Sequence, residues 1–316
     1  MGSGVMAVSR GLWGLPDQRR AARGVARRRA KPDTAGMTEA APSPSPSNRA
    51  RGALAAGFRR VGARTEVIGP HETGGYRLRL PRSRGETCEA VIVNTGGGMA
   101  GGDEAHFAFT AEAGAAVTLT TTAAEKVYRG QQADGRTAGT GVAVDLALAP
   151  GARLEWLPQE TILFDGARLD RRLSVDMAGD SELLMAEILV FGRLAMGETM
   201  RAGRVSDRWR LRRDGRLAYA EDVAIAGDIA AVLDRPALGA GARASASLVM
   251  VSGRAEGLVA AARAALEPHS AVTAGVSAWN GLLVARAISP SPERLRAAIV
   301  ALLSGLRGRA LPRLWT

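Results

Sequence analysis

Cysteine is almost absent from this sequence, since Cys88 is the only one among 316 residues. An intramolecular disulfide is therefore excluded, and we expect a reducing, cytoplasmic location. The neighbouring residues Thr87 and Glu89 bring no positive charge that would lower the pKa of the thiol. We therefore interpret Cys88 as a packed side chain and not as a reactive or metal-binding one.

Long apolar segments are also missing. No apolar run reaches the roughly 18 residues that a transmembrane helix needs. The arginine-containing N-terminus lacks the continuous apolar stretch of a secretory signal. We therefore expect neither a membrane-spanning helix nor secretion.

Several catalytic and metal-binding motifs are absent as well. The chain has no G-x-x-x-x-G-K-[ST] sequence, so it is not itself a P-loop NTPase. It has no H-E-x-x-H and no cysteine pair, and His71, His106 and His269 are far apart in sequence. This pattern argues against a tight zinc or nickel site built from imidazole and thiolate ligands.

Lysine is scarce too, so the net charge of +11 comes almost entirely from arginine. Residues 1–48 contain eight basic and three acidic residues, a charge of +5 that leaves +6 for residues 49–316. The charges of this longer part are mixed, with no basic helix and no aromatic-interleaved platform, so we expect no nucleic-acid partner. A mildly basic surface is equally compatible with an acidic protein partner.

The first 48 residues have the composition of an extension and not of a domain. They end in the Pro/Ser tract Ala41–Ser47, which cannot bury a core. We expect residues 1–48 to be a disordered, basic, Pro/Ser-rich extension, and residues 49–316 to form one β-rich domain. Two alternatives stay open: the extension binds an anionic partner, or translation starts at Met37 and residues 1–36 are not made.

From about residue 58 the apolar residues recur with period two, which is typical of half-buried strands. The clearest alternating pairs are Tyr76 and Leu78, Phe107 and Phe109, Val117 and Leu119, and Val142 and Val144. No helical stripe of about 12 residues interrupts them between residues 58 and 255, which argues against a βαβ alternation.

A loose internal repeat refines this prediction. Strand-like segments that flank a glycine recur around Gly114, Gly151 and Gly179. Such spacing suits stacked β-layers in which each unit covers the apolar face of its neighbour. We therefore predict a mainly β fold, with β-helix-like (solenoid-like) strand layers and a small C-terminal helical part.

Helices are predicted only near the C-terminus. Gly257–Leu266 is an alanine-rich candidate. The stronger one begins after Ser291, with Pro292 at its first position and an apolar stripe that continues to Leu306 before Gly308 ends it. The tail 311–315 contains too many apolar residues to be left in solvent.

The segment Asn94–Asp103 contains five glycines directly behind the apolar run Ala90–Val93. Gly96, Gly98 and Gly101 spell G-x-G-x-x-G, the outline of a dinucleotide-binding loop, which makes a dinucleotide-binding enzyme the alternative reading. That motif requires a helix after its last glycine. Residues 104–109 instead alternate as a strand, which favours a tight strand-to-strand crossing.

Two carboxylates, Glu160 and Glu187, occur in largely apolar surroundings. Such groups are rarely buried unless they are paired, hydrogen-bonded or in contact with water. One interpretation is ion pairing with the many arginines. The other is a polar lining for a cation in transit, because oxygen ligands hold first-row divalent ions more weakly than imidazole or thiolate.

Several motifs together resemble the UreD (also called UreH) family of urease accessory proteins. They are Asn94–Asp103, Thr120–Arg129, Leu154–Gly166, Glu187–Glu198 and the closing Pro312–Trp315, in the order of that family. The resemblance covers about residues 58–316 and leaves out the first 48.

The resemblance implies a non-enzymatic chaperone that helps to install nickel in urease. It implies a largely β fold with a small helical part, and binding to UreF, to the GTPase UreG and to apo-urease. A hetero-oligomer with UreF follows, and a dimer of such heterodimers is compatible with it. No cofactor would be bound stably, nickel ions would pass through an internal tunnel, and Glu160, Asp165 and Glu187 would line it. The apolar C-terminal helix and tail are our expectation for the UreF contact.

Overall fold

A computed structural model describes residues 49–82, 85–133 and 136–315. The expected disorder of residues 1–48, and the question of where translation starts, lie outside the described residues. In chain order the strands are β1 (Arg51–Val61), β2 (Arg64–Thr73), β3 (Tyr76–Arg79), β4 (Cys88–Asn94), β5 (Glu104–Ala111), β6 (Ala116–Thr121), β7 (Glu125–Val127), β8 (Gln131–Ala133), β9 (Arg136–Ala138), β10 (Thr140–Leu148), β11 (Arg153–Leu157), β12 (Thr161–Leu163), β13 (Arg168–Met177), β14 (Glu182–Phe191), β15 (Ala202–Arg213), β16 (Arg216–Asp228), β17 (Ala244–Val251), β18 (Thr273–Trp279) and β19 (Leu282–Ser289). The α-helices are α1 (Ile229–Asp234), α2 (Val259–Leu266) and α3 (Pro292–Arg307).

Most strands belong to two sheets. Sheet A has the order β16-β15-β13-β10-β5-β1-β2, and sheet B has the order β18-β19-β17-β14-β11-β6-β4-β3. In sheet B, β12 also pairs with β14, and β7 pairs with β12. Between β4 and β15 the long strands alternate between the sheets along the chain, and their neighbours within each sheet are parallel. Antiparallel strands close the edges.

The main core lies between the two sheets. It is formed by residues that alternate along each strand, such as Phe107 and Phe109 of sheet A and Leu154 and Trp156 of sheet B. Burying such side chains stabilises the fold by about 1.5–3 kcal/mol each. The period-two pattern of the sequence therefore predicts correctly which residues of sheet A face the core.

Sheet B is covered on both faces. Its second face packs against α2, α3 and the C-terminal tail in a separate apolar cluster. As a result Thr118 and Thr120 of β6 are buried although the alternation predicts exposure. Parallel strands that are covered on both sides commonly lose the alternating pattern.

The C-terminal helix follows its sequence signals closely. The Ser291 hydroxyl accepts a hydrogen bond from the Arg294 backbone N–H at 3.3 Å, Pro292 is the first helical residue, and Gly308 ends the helix with φ 63°. The apolar stripe of α3 is buried against sheet B. Because these side chains are buried within the fold, any contact of α3 with a partner would involve the other faces of the helix.

The prediction of a mainly β fold with small C-terminal helices is confirmed. The solenoid-like character of the stacking stays a prediction. Cys88 is buried, and burial raises the pKa of its thiol to about 11, which agrees with a packed side chain. Among the described residues, no helix is both long and apolar enough to cross a membrane.

Candidate functional site

A cavity of about 250 Å³ lies between the sheets, beside the glycine-rich loop. The larger part of its wall is apolar, and ten polar or charged residues also line it. The polar and charged lining residues are Tyr76, Asn94, Thr121, Thr122, Glu125, Lys126, Gln159, Thr161, Arg171 and Glu187. An apolar pocket with a few convergent polar groups is the usual form of a binding site.

Glu187 reaches the cavity because of its place on β14. Leu183 and Met185, on the same side of that strand, face the main core, and Glu187 continues their alternation. Its side chain is only 3% exposed. Its Oε1 accepts a hydrogen bond from Trp156 Nε1 at 2.7 Å, and its Oε2 accepts one from Arg171.

Arg171 joins Glu187 to a second buried carboxylate. The guanidinium donates to both oxygens of Asp207, with Nε–Oδ1 at 3.0 Å and Nη2–Oδ2 at 2.6 Å. The indole of Trp209 also donates to Asp207, at 3.1 Å. A polar layer therefore crosses the core between β14 and β15, with one positive charge for two carboxyl groups.

Burial and neighbouring charges shift the pKa values of Arg171 and Glu187. Burial lowers the pKa of Arg171, but the charges of Asp207 and Glu187 outweigh it and the net pKa is raised. Burial raises the pKa of Glu187, and the attraction of Arg171 opposes this only in part. Because Arg171 makes a bidentate pair with Asp207, we assign its charge mainly to that partner. The pKa of Glu187 therefore stays above its ordinary value.

Glu125 is a second carboxyl group on the cavity wall. Both of its oxygens lie 3.0 Å from Asn94 Nδ2, and burial raises its pKa although these hydrogen bonds oppose the shift. Asn94 also accepts a hydrogen bond from the Gly96 backbone N–H at 2.9 Å, so it connects the glycine-rich loop to Glu125. Sequence reasoning missed both residues as site members, because no apolar run surrounds Glu125. Their only signal was membership of the family motifs.

The glycine-rich loop forms one end of the cavity. It leads from β4 of sheet B to β5 of sheet A, so a strand and not a helix follows its last glycine. A Cβ on Gly101 would lie 2.5 Å from the backbone of Gln131 and of Ala138. Asp103 closes the loop, since its carboxylate accepts hydrogen bonds from the backbone N–H groups of Ala50 and Ala100. The predicted tight crossing is confirmed, and the helix that a dinucleotide loop requires is absent from this described segment.

Glu160 and Asp165 do not line the cavity. Glu160 forms an ion pair with Arg296 of α3 at 2.7 Å. Asp165 accepts backbone hydrogen bonds from Arg201 and Ala202 at 2.8 and 2.9 Å; burial raises its pKa, but these bonds outweigh it and the net pKa is lowered. The structure therefore brings Glu187 to the cavity and the other two into structural contacts, while a metal role for any of the three stays a prediction.

No ready-made metal centre is present among the described residues. None of their His, Cys, Asp and Glu side chains form a group of three or more that could hold a metal ion. His106, for example, lies on the outer face of sheet A, where its Nε2 is 2.7 Å from Asp145. The cavity can therefore supply carboxyl, amide and hydroxyl oxygens to a small cation, but not a closed imidazole or thiolate cage.

Comparisons with known proteins agree on one family. The model of the family described as "UreD urease accessory protein" matches residues 50–316. A urease accessory protein UreD of Methylobacterium sp. (strain 4-46) is 49% identical, with 86% of this chain and 98% of the relative covered. Proteins of the same name from Rhodopseudomonas palustris and Azorhizobium caulinodans are 46% and 44% identical, and the alignments cover 85% and 84% of this chain and 94% and 96% of the relatives.

Proposed function

This chain belongs to the UreD family of urease accessory proteins, and on that premise we propose that it helps to insert nickel into apo-urease. Family membership supports a role in urease maturation. The finer role that we propose is that of a scaffold and nickel conduit, without catalysis of its own, in a cytoplasmic complex with UreF and UreG. The hetero-oligomer with UreF, and a dimer of such heterodimers, belong to the same proposal.

The observation that supports a conduit best is the cavity with Glu187 and Glu125 in its wall. Both carboxyl groups have a raised pKa because of burial. Burial disfavours the ionised form of such a group, so an arriving Ni²⁺ would relieve this cost while meeting only a few oxygen donors. Oxygen ligands bind Ni²⁺ weakly compared with nitrogen and sulfur ligands, and so allow release. This suits transfer more than storage.

The contacts of Arg171 determine how Glu187 could bind a passing nickel ion. Its positive charge repels a cation, but its bidentate contact with Asp207 already satisfies most of the guanidinium. Glu187 is held by Trp156 and by a single arginine nitrogen. We therefore propose that Glu187 turns from Arg171 toward the cation while the pair with Asp207 stays in place. Glu160 and Asp165, the other predicted lining residues, would then act at most outside the cavity wall.

The general proposal is tested by deleting the gene from a urease operon. Urease is then purified from the deletion strain and its nickel content is measured by mass spectrometry. We expect urease with little nickel, and normal nickel content after the intact gene is restored. Fully metallated urease in the deletion strain would overturn the proposal.

The conduit is tested with the Glu187→Gln variant, which keeps the size of the side chain and removes its charge. We expect the complex with UreF to form normally while the nickel content of urease falls. Glu182→Gln is the matched control, because Glu182 lies on the same strand and accepts a hydrogen bond from Ser252 outside the cavity. Unchanged nickel content in Glu187→Gln would make Glu187 a structural residue. The variants Glu160→Gln and Asp165→Asn test in the same way whether those two residues contribute to the nickel content of urease.

A further inference from the structure

The outer face of sheet A carries a concentration of arginine on two adjacent strands. Alternate residues of β13 and β15 point away from the core, because Leu173, Val175, Trp209 and Leu211 point into it. We call the outward arginines of these strands the arginine stripe: Arg168, Arg172, Arg204, Arg208, Arg210 and Arg212. The outward positions of the same strands include only two acids, Asp170 and Asp176.

The register of the two strands places like charges side by side. Arg168 is paired with Arg204, and Arg172 with Arg208, in the parallel ladder. Like charges directly opposite each other on neighbouring strands destabilise a sheet. The fold by itself therefore does not account for this arrangement.

Four of the six arginines have no partner inside the described part of the chain. Arg208 forms an ion pair with Asp170 at 3.0 Å, and Arg210 one with Asp222 at 2.7 Å. Neither a hydrogen bond nor an ion pair is found for the side chains of the other four, which are Arg168, Arg172, Arg204 and Arg212. Three of these four are exposed and Arg168 is half-buried.

The neighbouring strand leaves room for a partner to approach. The outward positions of β10 beside the stripe are Gly141, Ala143, Asp145 and Ala147, and Asp145 is held by His106 of β5. The other three are small residues that do not rise above the sheet as long side chains would. Sheets built from parallel strands are normally covered on both faces, whereas the described helices α2 and α3 pack on sheet B.

We propose that the arginine stripe is a docking surface for an acidic face of a protein partner. Carboxylates at the spacing of neighbouring strands would each meet two arginines and relieve their repulsion. A nucleic acid fits less well, since Asp170, Asp176 and Asp222 lie among the arginines and no aromatic side chain occupies an outward position of β13 or β15. Residues 1–48 do not fit either, because their own charge is +5.

The test uses the full chain and a fluorescein-labelled peptide of alternating glutamate and alanine, whose binding is followed by fluorescence anisotropy at low salt. The stripe variant is Arg168→Gln/Arg204→Gln. The control variant, Arg254→Gln/Arg294→Gln, removes the same charge from two exposed arginines that lie outside sheet A. We expect the stripe variant to bind the peptide about fivefold or more weakly, and the control to bind nearly as the natural protein does.

Three results would overturn the proposal. They are no binding of the peptide by the natural protein, an equal loss in both variants, or tighter binding of a DNA duplex with the same label. Thermal unfolding provides a second measurement. Because the arginine repulsion is removed, the stripe variant should melt at the same temperature as the natural protein or slightly higher, so weak binding cannot be attributed to unfolding. None of these measurements depends on nickel or urease, so the docking surface and the nickel role can fail separately.

Discussion

At the scale of single residues, Arg171 lies inside the protein between two carboxyl groups. Its contacts with Glu187 and Asp207 compensate charges that would otherwise be buried without a partner. A buried ion pair need not stabilise a protein more than apolar residues of the same volume would. Removing only one member is different, because it leaves a charge in a medium that cannot solvate it.

We therefore expect Arg171→Met to lower the free energy of unfolding by about 3–5 kcal/mol. Urea denaturation followed by circular dichroism measures this change. The control is Arg172→Met on the same strand, where the side chain is exposed and the change should stay within about 0.5 kcal/mol. Equal effects of both substitutions would show that water already solvates the charges of Glu187 and Asp207.

The raised pKa of Glu125 leads to a prediction about pH. Burial raises this pKa above its ordinary value of 4.5, so the folded protein keeps the proton at pH values where the unfolded chain has released it. The stabilising contribution is complete below the unfolded pKa and is lost as the pH rises through the folded pKa. Glu125→Gln mimics the protonated group. Relative to the natural protein, this variant should therefore gain stability as the pH rises above the ordinary value of 4.5.

Glu112 provides the opposite control. Its hydrogen bond from Arg59 lowers its pKa, so the ionised carboxylate stabilises the fold above the ordinary pKa and this contribution is lost as the pH falls. Glu112→Gln should therefore lose stability relative to the natural protein as the pH rises. Urea denaturation at several pH values measures both slopes. Slopes of the same sign would contradict the assignment.

At the scale of elements, the glycine-rich loop between β4 and β5 depends on close backbone packing. Gly101 has no room for a Cβ, because the nearest backbone atoms would be 2.5 Å away and belong to other parts of the chain. The sequence predicted a tight strand-to-strand crossing at this loop. Which backbone approaches it was not predictable, since Gln131 and Ala138 are about thirty or more residues distant and no local pattern specifies them.

We expect Gly101→Ala to destabilise the protein by about 1–3 kcal/mol, since the loop must shift to admit the methyl group. A shift there also disturbs the cavity wall at Gly97 and Met99. Gly253→Ala is the control, because no atom lies within 4 Å of its Cβ position and its φ is ordinary. Thermal unfolding distinguishes the two variants, and an unaffected Gly101→Ala would mean that the loop adapts freely.

At the scale of the whole molecule, the chain end closes the outer layer of sheet B. Trp315 is only 2% exposed, and its indole N–H donates to the carbonyl of Leu157 at 2.9 Å. Its ring also lies under the guanidinium of Arg296, which binds Glu160. Leu311 and Trp315 of the apolar tail, which the sequence predicts to be covered, are thus buried within the protein's own fold.

Removing the Trp315 side chain should destabilise the whole layer of helices and tail on sheet B. We expect Trp315→Ala to cost about 3–5 kcal/mol in the free energy of unfolding. Leu314→Ala is the matched control, because the neighbouring Leu314 is 36% exposed and should cost much less. Urea denaturation measures both, and comparable losses would mean that the tail acts through its backbone and not through the indole.

The sequence by itself determined the β-rich class, the limits of α3, the packed state of Cys88 and the family. These depend on signals between near neighbours: alternation along a strand, a capping serine, and motifs of adjacent residues. Tertiary structure alone decided that Glu187 meets Arg171 and Asp207, that Glu125 shares its cavity, that Glu160 pairs with Arg296, and that the arginines of β13 and β15 form one stripe. The physical reason is that such contacts join residues far apart in the chain. Strand register and sheet packing fix them, and both are determined by the summed burial of the whole core.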